Sequence, residues 1–187
     1  MSEKAVPRAL QPPAGRVAAI TRERIAEGIR RSRESPRRRV IVPFHRSHAD
    51  RLHRMLNVVQ PGTYVQPHRH LLPPKAEAIV VLQGAVGFVA FSDAGAVEEA
   101  LVLRAASEKI GVDLEPGVYH TFVALEPDTV LFEVKPGPYE EASDKDFAPW
   151  APPEGSEEAR AYLARLEGRF AGVETSGPNR EGGTIIL

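Results

Sequence analysis

From Val40 to about Tyr139 the chain is a succession of short β-rich runs: RRVIVPF, LHRMLNVV, GTYVQPHRH, AEAIVVLQG, AVGFVAFS, EEALVLR, GVDL, GVYHTFVAL and DTVLFEVKPG. Proline, glycine or polar turn residues punctuate them, and nothing between them has the length and period of a crossover helix. Eight or nine such strands predict an all-β, mainly antiparallel sandwich or barrel and argue against a doubly wound α/β fold.

The flanks read differently. Residues 1 to about 19 are rich in Pro, Ala and Gly without periodicity, which predicts a poorly ordered arm. Thr21 is the expected N-cap of a short amphipathic helix that carries Ile25 and Ile29 on one face, and SPRRR ends it. After a loop, Ser156 caps a second helix with Glu157 and Glu158 in its first turn and Leu163, Leu166 and Phe170 on one side. The expected organisation is an arm and helix over 1–39, a barrel over 40–140, a loop and packed helix over 141–172, and a flexible tail over 173–187. With 187 residues and 42% hydrophobic composition, one core is expected.

Inside the β region, PGTYVQPHRHLLPPKAEAIVVLQG places His68 and His70 one residue apart. On a strand both project from one face, about 6–7 Å apart, as Tyr64 and Gln66 then also do. Glu77 opens the following run, so a hairpin return puts its carboxylate beside the two rings. His120 in EPGVYHTFVAL shares a face with Val118 and Phe122, and an imidazole among apolar neighbours needs a partner. Three imidazoles and one carboxylate suit one divalent transition ion, Mn, Fe(II), Ni or Zn, with positions open for water or substrate.

These two segments resemble the paired motifs of the cupin superfamily. The first runs from Gly62 through His68, Arg69, His70 and Glu77 to Gly84; the second runs from Gly111 through Pro116 and Gly117 to His120. The resemblance implies a small cupin-type β-barrel, or jelly roll, in which His68, His70, Glu77 and His120 bind one metal. Six residues separate His70 from Glu77, more than the family pattern has, and the second motif is compressed before Pro-Gly. More narrowly, SPRRR, HRMLNVVQPGTYVQPHRH, PPKAE, PGVYHTFVALEPDTVLFEVKPGPY and DKDFAPWAPPEG resemble the WbuC-type cupin metalloproteins, named from surface-polysaccharide gene clusters. That resemblance implies a metal-dependent enzyme, an isomerase, lyase or oxygenase, acting on a small polar molecule such as a sugar or sugar-nucleotide. The alternatives are a non-catalytic carbohydrate-binding cupin with a structural metal and an Fe(II) dioxygenase.

Other residues enter as candidates beside the metal. Tyr64 and His45 are candidate acid/base groups, and Arg54, Asn57 and Lys75 are candidate substrate contacts. Glu133 breaks the alternation of Val130, Phe132 and Val134, which predicts exposure on the opposite face. RRSRESPRRR reads as a solvated helix end, with Arg37 to Arg39 able to reach an anionic ligand at the barrel mouth. A net charge of -1 gives no general pull toward nucleic acid or anionic membranes, and the absence of cysteine removes disulfides and thiolate chemistry. No apolar stretch has spanning or signal-peptide length, so a soluble cytoplasmic protein is expected, binding a small molecule rather than nucleic acid or membrane, and pairing as a homodimer through a sheet edge.

Overall fold

The computed structural model describes residues 8–142 and 144–172. In chain order it contains α1 (Arg22–Glu34), β1 (Arg39–Pro43), β2 (Leu52–Val59), β3 (His68–Arg69), β4 (Glu77–Gln83), β5 (Ala85–Phe91), β6 (Val97–Arg104), β7 (Gly111–Leu114), β8 (Tyr119–Ala124), β9 (Thr129–Pro136), β10 (Asp146–Phe147) and α2 (Glu157–Gly168). The strands form two five-stranded sheets, β1-β2-β9-β4-β7 and β10-β3-β8-β5-β6, and their neighbouring strands pair antiparallel. The all-β reading holds, with a helix on each flank as expected. No helix of the described residues is long and apolar enough to cross a membrane.

Alternation along the strands builds the interior between the sheets. Val59, Ile79, Val81, Leu114 and Leu131 of the first sheet meet Val86, Phe88, Ala90, Leu103, Phe122 and Ala124 of the second in one buried cluster. The outer faces are apolar too, because each carries a helix. Ile25 and Ile29 of α1 pack with Val40, Val42, Leu56, Val58 and Val130 on the first sheet, whereas Leu163, Leu166 and Phe170 pack with Val89, Phe91, Tyr119 and Val123 on the second. Burial of each such leucine contributes about 1.5–3 kcal/mol. The strands under these helices are accordingly apolar on both sides, and every residue of β5 is buried.

Both helices start where their caps predict. Thr21 Oγ1 accepts from the Arg24 N–H at 3.2 Å, and Ser156 Oγ accepts from the Ala159 N–H at 3.2 Å. Close approach demands glycine at two docking points. A Cβ on Gly28 would lie 2.9 Å from a Val58 methyl, and one on Gly87 would lie 2.3 Å from the Phe170 ring.

Three expectations change. The arm is not free throughout, since Ala9 bridges Ile41 in parallel and Leu10 is buried against β1. The GTYVQPHRH run forms a strand only at His68–Arg69, because Pro67 interrupts it, while DKDF, expected in a loop, supplies β10. The tail over 173–187 lies outside the described residues.

Candidate metal centre

The predicted ligands come from both sheets. His68 on β3 pairs in register with His120 on β8, and both rings point inward with centroids 4.7 Å apart. His70, one step past β3, lies 5.2 Å from the His68 ring. The Leu71–Lys75 turn then crosses to the other sheet and delivers Glu77 at the start of β4. The longer spacing between His70 and Glu77 is absorbed by that turn. One nitrogen from each histidine lies within 4.8 Å of the other two, so the three can hold one ion. Glu77 Oε2 lies 3.0 Å from His120 Nε2 and 3.5 Å from His70 Nε2.

Hydrogen bonds on the far side of each ring fix its tautomer. Nδ1 of His68 faces the Gln66 carbonyl at 2.9 Å, Nδ1 of His120 faces the Val118 carbonyl at 2.9 Å, and Nδ1 of His70 faces the Asp144 carbonyl. A carbonyl only accepts, so each Nδ1 carries hydrogen, and each neutral ring keeps an Nε2 lone pair. Such outer carbonyl partners orient imidazoles toward a metal.

What faces the lone pairs is another acceptor. Burial works against charge on Glu77, whereas the Lys135 ammonium favours it. Burial also keeps His68 neutral, reinforced by the positive charge of Lys145. His68, His70, Glu77 and His120 are only 4%, 2%, 4% and 4% exposed, so water does not solvate this group. His70 Nε2 and Glu77 Oε2 are buried with no hydrogen-bond partner. Two orphaned acceptors beside the three clustered imidazoles fit a divalent cation, because a cation satisfies both at once.

A charged wall continues from Glu77. Glu133 is buried on the inner face of β9, opposite Met55 and Ile79, which corrects the expectation of exposure. The reason is α1, whose cover makes Val130 and Phe132 the outward set. Burial and the Glu77 charge push the Glu133 carboxyl up to about 7. Its Oε2 accepts from Asn57 Nδ2, and its Oε1 lies 3.3 Å from Lys135 Nζ. Asp144 receives Lys75 at 2.8 Å and Lys135 at 3.3 Å. Burial opposes charge on Lys135, but Glu133, Glu77 and Asp144 hold its ammonium above the ordinary lysine range.

The remaining candidates separate. Asn57 lies on the inner face and holds Glu133, and Lys75 is committed to Asp144 and the Pro138 carbonyl. Tyr64 does not share the His68 face: its ring packs in the outer cluster under α2, and its hydroxyl donates to the Pro152 carbonyl. Arg54 lies on the outer face of β2 near Asp50. His45 stacks on His53 with centroids 4.0 Å apart, Nδ1 against the Arg54 backbone, and burial holds both rings below the ordinary histidine range. Arg37 and Arg39 are not directed at a ligand, because Glu154 binds both guanidinium groups. Sequence reasoning missed Lys135, Asp144 and Lys145. The signal available was the parity of Leu131, Glu133 and Lys135 on one strand face.

Residues 20–103 match the family described as Domain of unknown function (DUF6016), less than half of the chain. No curated protein matches it. Among solved structures, KdgF from Halomonas sp. is similar at 22% identity and a TM-score of 0.41, over 56% of this chain and 80% of that one. Oxalate decarboxylase from Bacillus subtilis is similar at 19% identity and a TM-score of 0.42, over 51% of this chain and 23% of that one. Procruciferin, an 11S globulin from Brassica napus, is similar at 14% identity and a TM-score of 0.40, over 47% of this chain and 21% of that one. The chain thus spans about a quarter or less of the latter two proteins.

Proposed function

We propose that this chain is a metal-binding cupin of the WbuC type in which His68, His70, Glu77 and His120 hold one divalent transition ion, Fe, Mn, Ni or Zn. The observation that carries this reading is three buried histidine nitrogens within 4.8 Å of one another, with Glu77 Oε2 3.0 Å from His120 Nε2 and 3.5 Å from His70 Nε2. On the same reading the protein is a metal-dependent enzyme acting on a small polar molecule, a sugar or sugar-nucleotide of surface-polysaccharide synthesis. A bound ion supplies Lewis-acid polarisation of a substrate oxygen.

The chain's own residues do the rest. The backbone carbonyls of Gln66, Val118 and Asp144 hold the three imidazoles in one tautomer. Glu133 lies on the same inner face, oriented by Asn57 and Lys135, and is the carboxyl placed to take or give a proton. Apolar residues of both sheets exclude water behind it. The assembly we propose is a cytoplasmic homodimer joined at a sheet edge; light scattering that returns the 20.4 kDa monomer overturns that part.

A second reading is favoured by the depth of burial of all four ligands: a structural metal in a non-catalytic binding protein. Elemental analysis of untagged protein tests the metal, with about one equivalent per chain expected. Absence of metal even after reconstitution overturns both readings. If chelation unfolds the chain, and the folded metal-loaded chain binds small ligands without turning any of them over, the metal is a staple and the enzymatic reading fails.

A further inference from the structure

Lys145 precedes β10, whose residues pair Asp146 with Arg69 and Phe147 with His68. Arg69 and Asp146 form an ion pair at 2.7 Å on the outer side, where the guanidinium lies 4.3 Å over the Tyr119 ring. Extending the register by one residue sets Lys145 opposite His70, and alternation turns it to the inner face with the histidines. There its ammonium acts electrostatically on His68, Glu77, Glu133 and Lys135.

Charge makes this placement informative. Lys75 is neutralised by Asp144, and Lys135 is shared between Asp144 and Glu133. Lys145 has no ion pair or hydrogen bond among the described residues. Lys145 is half-buried, so water still reaches it. A divalent ion would bring two positive charges and Glu77 would cancel one, leaving the ion's remaining charge beside that of the half-buried Lys145. Like charges brought together in a partly desolvated site repel, and an anionic ligand offsets both. The half-exposed Phe147 ring lies 6.2 Å from His68, which suits a small molecule carrying its charge at one end.

We infer that Lys145 anchors the carboxylate of a small hydroxy or oxo acid bound in front of the histidine cluster, an inference that rests on the metal reading above. Lys145 therefore sets specificity among the proposed polar substrates, selecting one that carries an acid group over a neutral molecule of the same size. A charge-assisted bond of this kind is worth roughly tenfold to a hundredfold in affinity.

The probe is tartrate, with erythritol as the uncharged molecule of the same carbon length, titrated calorimetrically near pH 7 on protein whose metal content has been assayed. Binding of tartrate but not erythritol is expected. Lys145→Met should weaken tartrate by at least about tenfold with metal content unchanged, and Lys145→Arg should recover much of the loss. Equal binding of erythritol, undiminished binding by a folded Lys145→Met chain, or no tartrate binding by the metal-loaded protein overturns the inference. So does Lys145-dependent binding of inorganic phosphate where tartrate does not bind. If the protein takes up no metal, it is the metal reading that fails. Tartrate titrated on the metal-free chain then decides the role of Lys145 alone: dependence on Lys145 upholds it, and absent or independent binding overturns it.

Discussion

His70 and Glu77 begin on opposite sheets and bring Nε2 and Oε2 to 3.5 Å, and neither atom has a hydrogen-bond partner. Two acceptors face each other there, and the arrangement gives Glu77→Gln two effects of opposite sign. The amide removes the anionic ligand, so metal affinity should fall by more than about a hundredfold, beyond what loss of an outer partner costs. In metal-free protein the same amide supplies N–H donors to orphaned imidazole nitrogens and should raise stability by about 1 kcal/mol. Plasma mass spectrometry and thermal melts with and without chelator read the two effects. His68→Ala and His120→Ala should lose the metal without that stabilisation. A Gln variant that keeps full metal content removes Glu77 from the site.

Acid should act in two separate windows. Burial holds His68 below the unperturbed value near 6.5, so the unfolded chain takes up the proton first. Its stability contribution is complete above about 6.5 and is lost as pH falls through the lower folded value. Metal should leave in the same interval, since a protonated imidazole cannot ligate. Glu154 works lower. Its burial is outweighed by Arg37 and Arg39, which hold its carboxyl down to about 2 from 4.5, so its contribution is complete above 4.5 and lost as pH falls toward 2. With the Glu154 side chain 34% exposed, each ion pair is worth at most about 1 kcal/mol. Glu154→Gln should flatten only the lower window in melts run from pH 7 to 2.5.

Asp144 combines two tasks, its carbonyl receiving the His70 Nδ1–H and its carboxylate receiving Lys75 and Lys135. Asp144→Ala leaves two buried ammonium groups short of a partner and should cost about 3–5 kcal/mol. Because the segment then loosens behind His70, metal affinity should drop by about 10- to 100-fold with all four proposed ligands intact. Asp144→Asn, which keeps an acceptor oxygen, should lose less of both. Equal metal affinity in a folded Ala variant would falsify this positioning role.

How much of this could be read from sequence depends on which signals are local. Caps, turns and short apolar runs are local, so the two helices and most strands were legible. Which face of a strand points inward is not local when both faces are covered. On β9, Val130 and Phe132 pack toward α1 while Leu131, Glu133 and Lys135 line the interior, and both sets satisfy a period of two. The His-x-His pair and His120 were legible because their spacing carries the chemistry. Tyr64 was misplaced because Pro67 breaks the strand: Val65 and His68, three residues apart, both reach the interior. Lys145 was invisible because its orientation follows from pairing with a distant strand of two residues.

The covered outer face offers a control that separates fold from site. On β5, Val86, Phe88 and Ala90 face the interior, with Phe88 6.1 Å from the His120 ring, whereas Gly87 faces Phe170 beyond α2. Gly87→Ala sets a methyl 2.3 Å from that ring and must displace it. Overpacking of this kind costs about 1–3 kcal/mol. Phe170→Ala, which vacates a buried aromatic position, should cost about 3–5 kcal/mol. Because the two changes share one contact, the double variant should be less destabilised than the sum of the singles. Metal content should stay at one equivalent in every folded variant, since the histidines lie on the opposite side of the sheet. Loss of metal from a folded Gly87→Ala chain would mean that the α2 contact sets the position of β8, and that the interior site depends on the helix outside it.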